Sequence, residues 1–199
     1  MPMKSKKVNC DINLMIRGIG GQGVKLAGSI IGQAAIYDHR HAVQSMKYGS
    51  AITGGETRSE IKVSIERIIY PRMTDIDVYV ALTQDDLENF FDAQIYLTAT
   101  EVAKTIPKVI KDKLILAPML TISEQVGSRK TMNMVLLGVL NQLFNLASDD
   151  SFEKAIEKLT APKFHEINKK AYFAGKKFDL TKENPQRILK LANICKIDD

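Results

Sequence analysis

The 199-residue chain has no tryptophan and only two cysteines, Cys10 and Cys195, which lie near its opposite ends. Neither cysteine belongs to a CxxC pair or has a histidine at ligand spacing, so we expect no iron–sulfur cluster or zinc site, and no metal at all, in this chain alone. A chain of this length can bury a sufficient core without disulfides. This sparse use of thiols fits a reducing compartment, and we expect a cytoplasmic protein.

Long hydrophobic runs are missing as well. The longest apolar stretches, such as 134–140, fall far short of the roughly 20 residues that span a bilayer. The basic start, 1–7, leads into polar residues without an apolar segment, so we expect no secretory signal. These features predict a protein without membrane association.

Positive charge is in modest excess, with 28 Lys and Arg against 23 Asp and Glu and a net charge of +5. Part of it gathers near the C-terminus, in Lys163, Lys169, Lys170, Lys176 and Lys177. Nucleic-acid sites usually combine such charge with aromatic residues or a known recognition motif, and neither accompanies these lysines. We interpret the lysines as a solvated helix face and expect no nucleic-acid partner.

Strands and helices alternate along most of the chain. Apolar runs predict strands at 13–19, 43–46, 77–82, 95–98 and 114–117. Helical periodicity predicts helices at 24–37, 85–91, 101–111 and 130–145, and only helices beyond 151. Residues 59–65 alternate polar and apolar, which predicts a half-exposed strand, either an antiparallel insertion or an edge.

This alternation predicts an α/β fold with a three-layer, mostly parallel Rossmann-like sheet, an antiparallel edge or insertion, and a helical C-terminal tail. Neither a repeat nor a low-complexity linker divides the sequence. We therefore expect a single domain over 1–199, made of a tail (1–12), an α/β core (13–147) and a helical C-terminal region (148–199).

A glycine-rich loop joins the first predicted strand to the first predicted helix. Its residues 18–23, Gly-Ile-Gly-Gly-Gln-Gly, satisfy the GxGxxG pattern where a helix N-terminus can receive a pyrophosphate. A dinucleotide site also needs an acidic residue at the end of the second strand. The candidate positions Gln44, Ser45 and Met46 carry none, which counts against NAD. The alternative is a tight turn that needs glycine only for close packing.

Other catalytic signatures are absent from the sequence. The loop ends Gly-Val-Lys-Leu at 23–26, without the Gly-Lys-Ser/Thr of a P-loop, so we do not expect nucleotide hydrolysis. No GxSxG elbow occurs, and the three histidines have no partner at a useful spacing. We predict no catalytic residue in this chain and interpret it as a scaffold with a binding loop.

An ordered set of short motifs runs from about residue 13 to 140. The set comprises the loop 18–24, Leu-Ala-Gly at 26–28, Tyr-Gly at 48–49, Gly-Gly at 54–55, Ser-Glu-Ile-Lys-Val-Ser at 59–64, Ile-Tyr-Pro at 69–71, Asp-Val-Tyr-Val-Ala-Leu at 77–82 and Asn-Met-Val-Leu-Leu-Gly at 133–138. Together these motifs resemble the gamma subunit of 2-oxoacid:ferredoxin oxidoreductases, the pyruvate/ketoisovalerate oxidoreductase family. The loop and the 59–64 strand look closer to 2-oxoglutarate and indolepyruvate members than to pyruvate members.

The resemblance implies a subunit of an enzyme that oxidatively decarboxylates a 2-oxoacid such as 2-oxoglutarate, forms an acyl-coenzyme A and reduces ferredoxin. In that family the alpha and beta subunits hold thiamine diphosphate, and a cysteine-rich, ferredoxin-like delta component holds the iron–sulfur clusters. We expect this chain to bind none of these groups alone and to be inactive in isolation. The expected partners are the alpha, beta and delta subunits and ferredoxin as acceptor, and a homodimer of the isolated chain is left open.

Two loops expected at the carboxyl edge of the sheet are the predicted contacts to coenzyme A or a partner. The residues assigned to this cofactor-binding surface are Gly18, Gly20, Gly21, Gln22, Gly23, Tyr48, Gly49, Thr53, Gly54 and Gly55. The second loop departs from the family's Tyr-Gly-Pro-Glu-x-Arg-Gly-Gly pattern, because Ser50, Ala51 and Thr53 replace the Pro, Glu and Arg. The departure indicates either a divergent branch with another 2-oxoacid or a loop whose charges have drifted.

Two other functions compete with the enzyme subunit. A stand-alone dinucleotide-binding oxidoreductase is disfavoured by the missing acid after the second strand. A non-catalytic interaction module is favoured by the replacements at 50–53, which remove charged groups from the second loop.

Overall fold

The computed structural model of the chain describes residues 11–49 and 55–181. Its strands are β1 (Ile12–Ile19), β2 (His41–Tyr48), β3 (Glu56–Ser64), β4 (Val78–Ala81), β5 (Ile95–Ala99) and β6 (Leu114–Ala117). Its α-helices are α1 (Val24–Tyr37), α2 (Gln84–Glu88), α3 (Met119–Val126), α4 (Met132–Phe144), α5 (Asp149–Leu159) and α6 (His165–Lys177). Short 3-10 helices occur at Lys108–Lys113, Arg129–Thr131 and Pro162–Phe164.

The six strands form one mixed sheet in the order β2-β3-β1-β4-β5-β6. Strands β1, β4, β5 and β6 run parallel, whereas β3 lies antiparallel between β1 and β2. This confirms the predicted mostly parallel α/β sheet with an antiparallel insertion. The edge strand next to β3 is β2, and β6 forms the other edge. Strand β3 is not an edge, because α1 carries the chain past the position that β3 later occupies between β1 and β2.

Five helices cover one side of the sheet, called here the helical face. Helices α1, α3, α4, α5 and α6 share one buried apolar cluster with strand side chains such as Leu14, Ile16 and Val80. Within it Phe152 of α5 stacks on Tyr172 of α6, with 5.0 Å between ring centroids. The predicted helical C-terminal region therefore supplies much of this cover.

Two glycines let α4 and α6 approach each other closely. A Cβ on Gly138 of α4 would overlap the carbonyl oxygen of Tyr172, and a Cβ on Gly175 of α6 would overlap the carbonyl oxygen of Val135. The backbones of the two helices are thus in direct contact, and any side chain at these positions would separate them.

The other side of the sheet, the opposite face, has a thinner cover. Over β4, β5 and β6, helix α2 and the 3-10 helix Lys108–Lys113 bury an apolar cluster that contains Tyr79, Leu87 and Tyr96. Helices therefore lie on both faces, which confirms the predicted three layers. Over β2 and β3 the outward side chains include charged residues that are half buried or exposed, namely Lys47, Arg58 and Glu60.

The prediction of a helix at 101–111 is wrong. The side-chain amide of Gln84 accepts from the N–H of Lys104 at 2.8 Å and donates to the carbonyl of Thr105 at 3.0 Å. These bonds satisfy backbone groups that a helix would have used. Pro107, which has no N–H to donate, then precedes the 3-10 helix. The predicted helix at 85–91 is also shorter, since α2 ends at Glu88.

The lysines near the C-terminus are not uniformly solvated. Lys169 forms ion pairs with Glu157 at 2.6 Å and with Glu153 at 3.2 Å. Lys176 pairs with Asp149, which also accepts a hydrogen bond from the hydroxyl of Tyr172 at 2.7 Å. The expectation of a solvated face is therefore wrong for Lys169 and Lys176, which join α6 to α5.

Candidate functional site

The glycine loop lies where the connections of the sheet diverge. Helix α1 leaves the carboxyl end of β1 on the helical face, and α2 leaves the neighbouring strand β4 on the opposite face. A crevice opens between connections that part in this way, and open α/β sheets bind their ligands there. The loop 18–23 thus occupies the position that this topology favours for a ligand.

Two glycines of the loop have backbone conformations that other residues rarely adopt. Gly21 and Gly23 have φ values of 96° and 74°. A Cβ on Gly23 would overlap the side chain of Asn133 at the start of α4, whereas a Cβ on Gly21 would meet no atom within 4 Å. Gly23 is therefore required by packing as well as by conformation, while Gly21 leaves open space beside the loop.

The side chain of Gln22 holds the loop in its conformation through two hydrogen bonds. Its side-chain oxygen accepts from the N–H of Ile19 at 2.8 Å, and its amide nitrogen donates to the carbonyl of Leu82 at 3.2 Å. A Cβ on Gly18 would lie 2.5 Å from the same side-chain oxygen. Gln22 and Gly18 therefore shape the loop.

The second predicted loop is bonded to the first. The N–H of Gly20 donates to the carbonyl of Gly55 at 3.1 Å, and the N–H of Gly49 donates to the carbonyl of Glu56 at 2.7 Å. These bonds hold the end of the β2–β3 hairpin against the glycine loop. The other predicted positions of this loop, Thr53 and Gly54 with Ser50 and Ala51, lie outside the described residues.

A groove of about 460 Å³ opens beside the glycine loop on the helical face. Its walls come from the loop, the first turns of α1, the end of β2 and the end of α5. Four of the predicted site residues meet in it, namely Gly20, Gly21, Gly23 and Tyr48. The volume falls within the range of small-molecule sites in proteins.

The chemistry of this groove favours an anion with an apolar part. Helix α1 begins here with no acidic residue in its first turn and no side-chain cap from Gly23, so the positive end of its dipole is uncompensated. Lys25 adds a cation to the wall, and Tyr48, which is 62% exposed, and Leu159 add apolar surface. Sequence analysis missed Lys25, although its position in the first turn was a usable signal. It also missed Leu159, which comes from a distant helix.

The position of β2 does not match a dinucleotide site. In dinucleotide folds the second strand pairs with the first, whereas β3 separates them here. Gln44, a candidate position for the missing acid, lies under α1 and donates to the carbonyl of Lys25 at 3.0 Å and to Oγ of Ser59 at 2.9 Å. Strand β2 extends to Tyr48, beyond the predicted end at Met46, and these last residues carry no acid either.

An ion-pair cluster around the buried Arg17 lies at the same edge of the sheet on the opposite face. Arg17 of β1 is 8% exposed, and its Nε lies 2.9 Å from the carboxylate of Glu56 and 3.1 Å from that of Asp86. Burial alone would lower the pKa of Arg17, but Tyr79 and the two carboxylates raise it above its ordinary value. Burial raises the pKa of Asp86, which the hydrogen bond from Thr83 and the charge of Arg17 offset only in part. Sequence analysis missed this cluster, which joins the first residue of β3 to α2.

Two further observations concern the parts of the chain that the structure describes. Residues 11–49 and 55–181 contain no group of three or more His, Cys, Asp or Glu side chains placed to hold a metal ion. No helix within the same ranges is long and apolar enough to cross a membrane.

Comparison with known proteins identifies the family. Residues 13–178 match the family model described as pyruvate ferredoxin/flavodoxin oxidoreductase, and the chain belongs to that family. It is 31% identical over 188 residues to the 2-oxoglutarate synthase subunit KorC of Methanocaldococcus jannaschii, which covers 91% of this chain and 100% of the relative.

Solved structures share the fold. The gamma subunit of a keto/oxoacid ferredoxin oxidoreductase from Geobacter sulfurreducens PCA superposes with a TM-score of 0.72 at 28% identity, covering 83% of this chain and 94% of that one. The 2-oxoglutarate:ferredoxin oxidoreductase from Magnetococcus marinus has a TM-score of 0.73 at 21% identity, covering 87% of this chain and 31% of that one.

These relatives confirm the resemblance found in the sequence. The chain is a gamma-type subunit of an oxidoreductase of the 2-oxoacid:ferredoxin class. The stand-alone dinucleotide-binding oxidoreductase does not fit relatives that are themselves subunits.

Proposed function

We propose that the chain serves a 2-oxoglutarate:ferredoxin oxidoreductase, in which it completes the site where coenzyme A enters the reaction. The observation that carries this proposal is the match to a 2-oxoglutarate synthase subunit over that subunit's whole length. The complete enzyme couples oxidative decarboxylation of the 2-oxoacid to the reduction of ferredoxin. In this proposal the chain supplies binding surface and no reacting group.

The groove beside the glycine loop suits coenzyme A. This molecule carries phosphates on an adenosine and a long pantetheine arm with apolar segments. The N-terminus of α1 and the ammonium group of Lys25 attract phosphates, and the ring of Tyr48 offers a stacking surface. The Magnetococcus marinus enzyme was solved with 2-oxoglutarate, coenzyme A and succinyl-CoA bound.

The remaining groups of the reaction belong to partner subunits. Alpha and beta subunits hold thiamine diphosphate, and a ferredoxin-like delta subunit holds the iron–sulfur clusters and reduces ferredoxin. This division is supported by the cysteine count, because an iron–sulfur cluster needs more thiolates than the two cysteines of this sequence supply. The assembled complex is proposed to act in the cytoplasm.

Steady-state kinetics of the complex, isolated through an affinity tag on this chain, test the proposal. Lys25→Ala removes a charge that faces the phosphates, so KM for coenzyme A should rise by about tenfold while KM for 2-oxoglutarate stays unchanged. The control is Lys163→Ala, an exposed lysine that does not line the groove, which should change neither KM by more than about twofold.

Three results would contradict the proposal. The first is an unchanged KM for coenzyme A in Lys25→Ala. The second is a higher kcat/KM for pyruvate than for 2-oxoglutarate. The third is a tagged chain that retrieves no thiamine-dependent subunits. In addition, the isolated chain should bind NAD no more tightly than about millimolar, and micromolar binding in calorimetry would favour the dehydrogenase alternative.

A further inference from the structure

The opposite face carries a second groove, which the glycine site does not use. Its volume is about 730 Å³, and it lies over β2 and β3, beside the connection 71–76. Three cations, Lys47, Arg58 and Arg72, line it together with Phe91 and one carboxylate, that of Glu60.

The strand register places cations side by side in this region. Lys47 lies opposite Arg58 in the β2–β3 pair, and Arg58 lies opposite Arg17 in the β1–β3 pair. Like charges directly across neighbouring strands destabilise a sheet. Arg17 is compensated by three carboxylates, those of Glu56, Asp85 and Asp86. Arg58 and Lys47, in contrast, share Glu60, at 3.1 Å and 3.6 Å.

The neighbouring cation, Lys62, contributes to the positive charge of this region. Nζ of Lys62 donates to the backbone carbonyls of Tyr70 and Arg72, at 3.0 Å and 3.5 Å. These contacts are with neutral groups, so the positive charge of Lys62 adds to that of the groove. The wall of the groove therefore carries net positive charge.

Apolar side chains border this charge. Phe91 is 38% exposed, and the guanidinium of Arg58 lies over its ring, 4.7 Å from the centroid. Ile69 and Tyr70, which precede the lining residues in the chain, are 90% and 56% exposed. Arginine together with aromatic and aliphatic surface is the composition found at the centre of protein interfaces.

We propose that this groove docks an acidic segment of a partner subunit, with a carboxylate between Lys47 and Arg58 and an apolar side chain against Phe91. Charge complementarity selects this occupant, because one glutamate shared by two cations leaves a positive charge for the partner to neutralise. The inference rests on the function proposed above, since it needs a multi-subunit enzyme. Coenzyme A and the partner segment then contact opposite sides of the same β2–β3 hairpin.

Cysteine labelling of the tagged complex tests whether the groove is covered. Ser45→Cys places an exposed thiol in the groove lining, and Lys163→Cys places one on the helical face. Alkylation is followed peptide by peptide, because the chain also contains Cys10 and Cys195. Assembly should slow alkylation at position 45 by at least about tenfold and leave position 163 within about twofold, because interface cores exclude solvent.

Charge reversal tests the chemistry of the occupant. Lys47→Glu and Arg58→Glu should each weaken assembly by about tenfold or more and flatten its dependence on salt. Lys163→Glu is the matched control and should stay within about twofold of the wild type. Lys47→Gln, at an exposed position, keeps the test valid if Arg58→Glu fails to fold.

Each alternative outcome has a distinct meaning. A complex in which position 45 remains as reactive as in the free chain overturns the docking site but leaves the proposed function standing. Protection without any effect of charge reversal overturns the acidic occupant. If position 45 is also protected in the isolated chain, and that chain has the mass of a dimer, the occupant is a second copy of the chain. This result would overturn the proposal of a partner segment. If the wild-type chain forms no complex with other subunits, the proposed function itself is contradicted.

Discussion

The two faces of the sheet are stabilised by different interactions. On the helical face, five helices bury apolar side chains and bring glycines of α4 and α6 into backbone contact. On the opposite face, apolar cover extends only as far as Met15 of β1, and the rest of the β1–β3–β2 region depends on ion pairs around Arg17 and Glu60. Close packing stabilises the helical face, and ion pairs stabilise this part of the opposite face. Substitutions should therefore affect the two faces in different ways.

The largest effect is expected from Phe152→Ala on the helical face. The side chain is fully buried and stacks on Tyr172, so its removal leaves a cavity and should cost about 4 kcal/mol in urea unfolding. Phe164→Ala, at a residue that is 49% exposed, should cost less than about 0.5 kcal/mol. Equal costs at the two positions would show that α5 contributes little to the core.

Arg17→Met should cost about 3 kcal/mol at neutral pH, because it leaves Asp86 buried without its cation. Burial already raises the folded-state pKa of Asp86, and loss of the cation raises it further. A carboxyl group whose pKa is higher in the folded than in the unfolded state stabilises the fold at pH values below its unfolded-state pKa, about 3.9. This stabilisation is lost as the pH rises through the folded-state pKa. The deficit of the variant should therefore grow with rising pH across that window.

Urea unfolding of this variant at a series of pH values measures the trend. The control is Arg129→Met, which breaks an exposed pair with Glu124 and should cost no more than about 1 kcal/mol. A deficit that does not depend on pH would mean that Asp86 finds another partner when Arg17 is absent.

The smallest effects are expected from two glycine-to-alanine substitutions within helices, one at a close helix–helix contact and one at a position with room for a methyl group. Gly138→Ala should destabilise by about 2 kcal/mol, because its Cβ would overlap the backbone of α6. Gly32→Ala in α1 should stabilise by about 0.5 to 1 kcal/mol, since its Cβ would lie 3.7 Å from that of Ala42 without strain. Thermal unfolding distinguishes the two signs, and stabilisation by both substitutions would contradict the close approach of α4 and α6.

Hydrophobic periodicity predicted the helices and strands that are buried on one face or on all sides. Helix α1 and strand β6 have the predicted bounds, and the alternation at 59–65 marked β3 because one of its faces is buried under α1. The pattern failed at 101–111, where contacts with Gln84 decide the backbone bonding. Helix α3 was not predicted, although Pro118 before it and Gly127 after it, with φ of 113°, are ordinary helix signals.

The candidate site was predictable in part. Glycines between a strand and a helix indicated the loop, and Gly20, Gly21 and Gly23 do line a groove. The contribution of Leu159 depends on how α5 packs, and no local pattern contains that information. Gln22 illustrates the limit of motif reasoning, because its bonds to Ile19 and Leu82 make it part of the loop's own structure.

The place of β3 between β1 and β2 has a consequence for the order of folding. The hairpin pairs residues that are near in the chain, such as Tyr48 with Thr57, whereas its contact with β1 joins Ile12 to Val63. Closing such long loops is slow compared with forming a hairpin. We therefore expect the β2–β3 hairpin to form early and then to add to β1 as a unit. During synthesis, β1 stays without a neighbour on this side until the whole hairpin has left the ribosome.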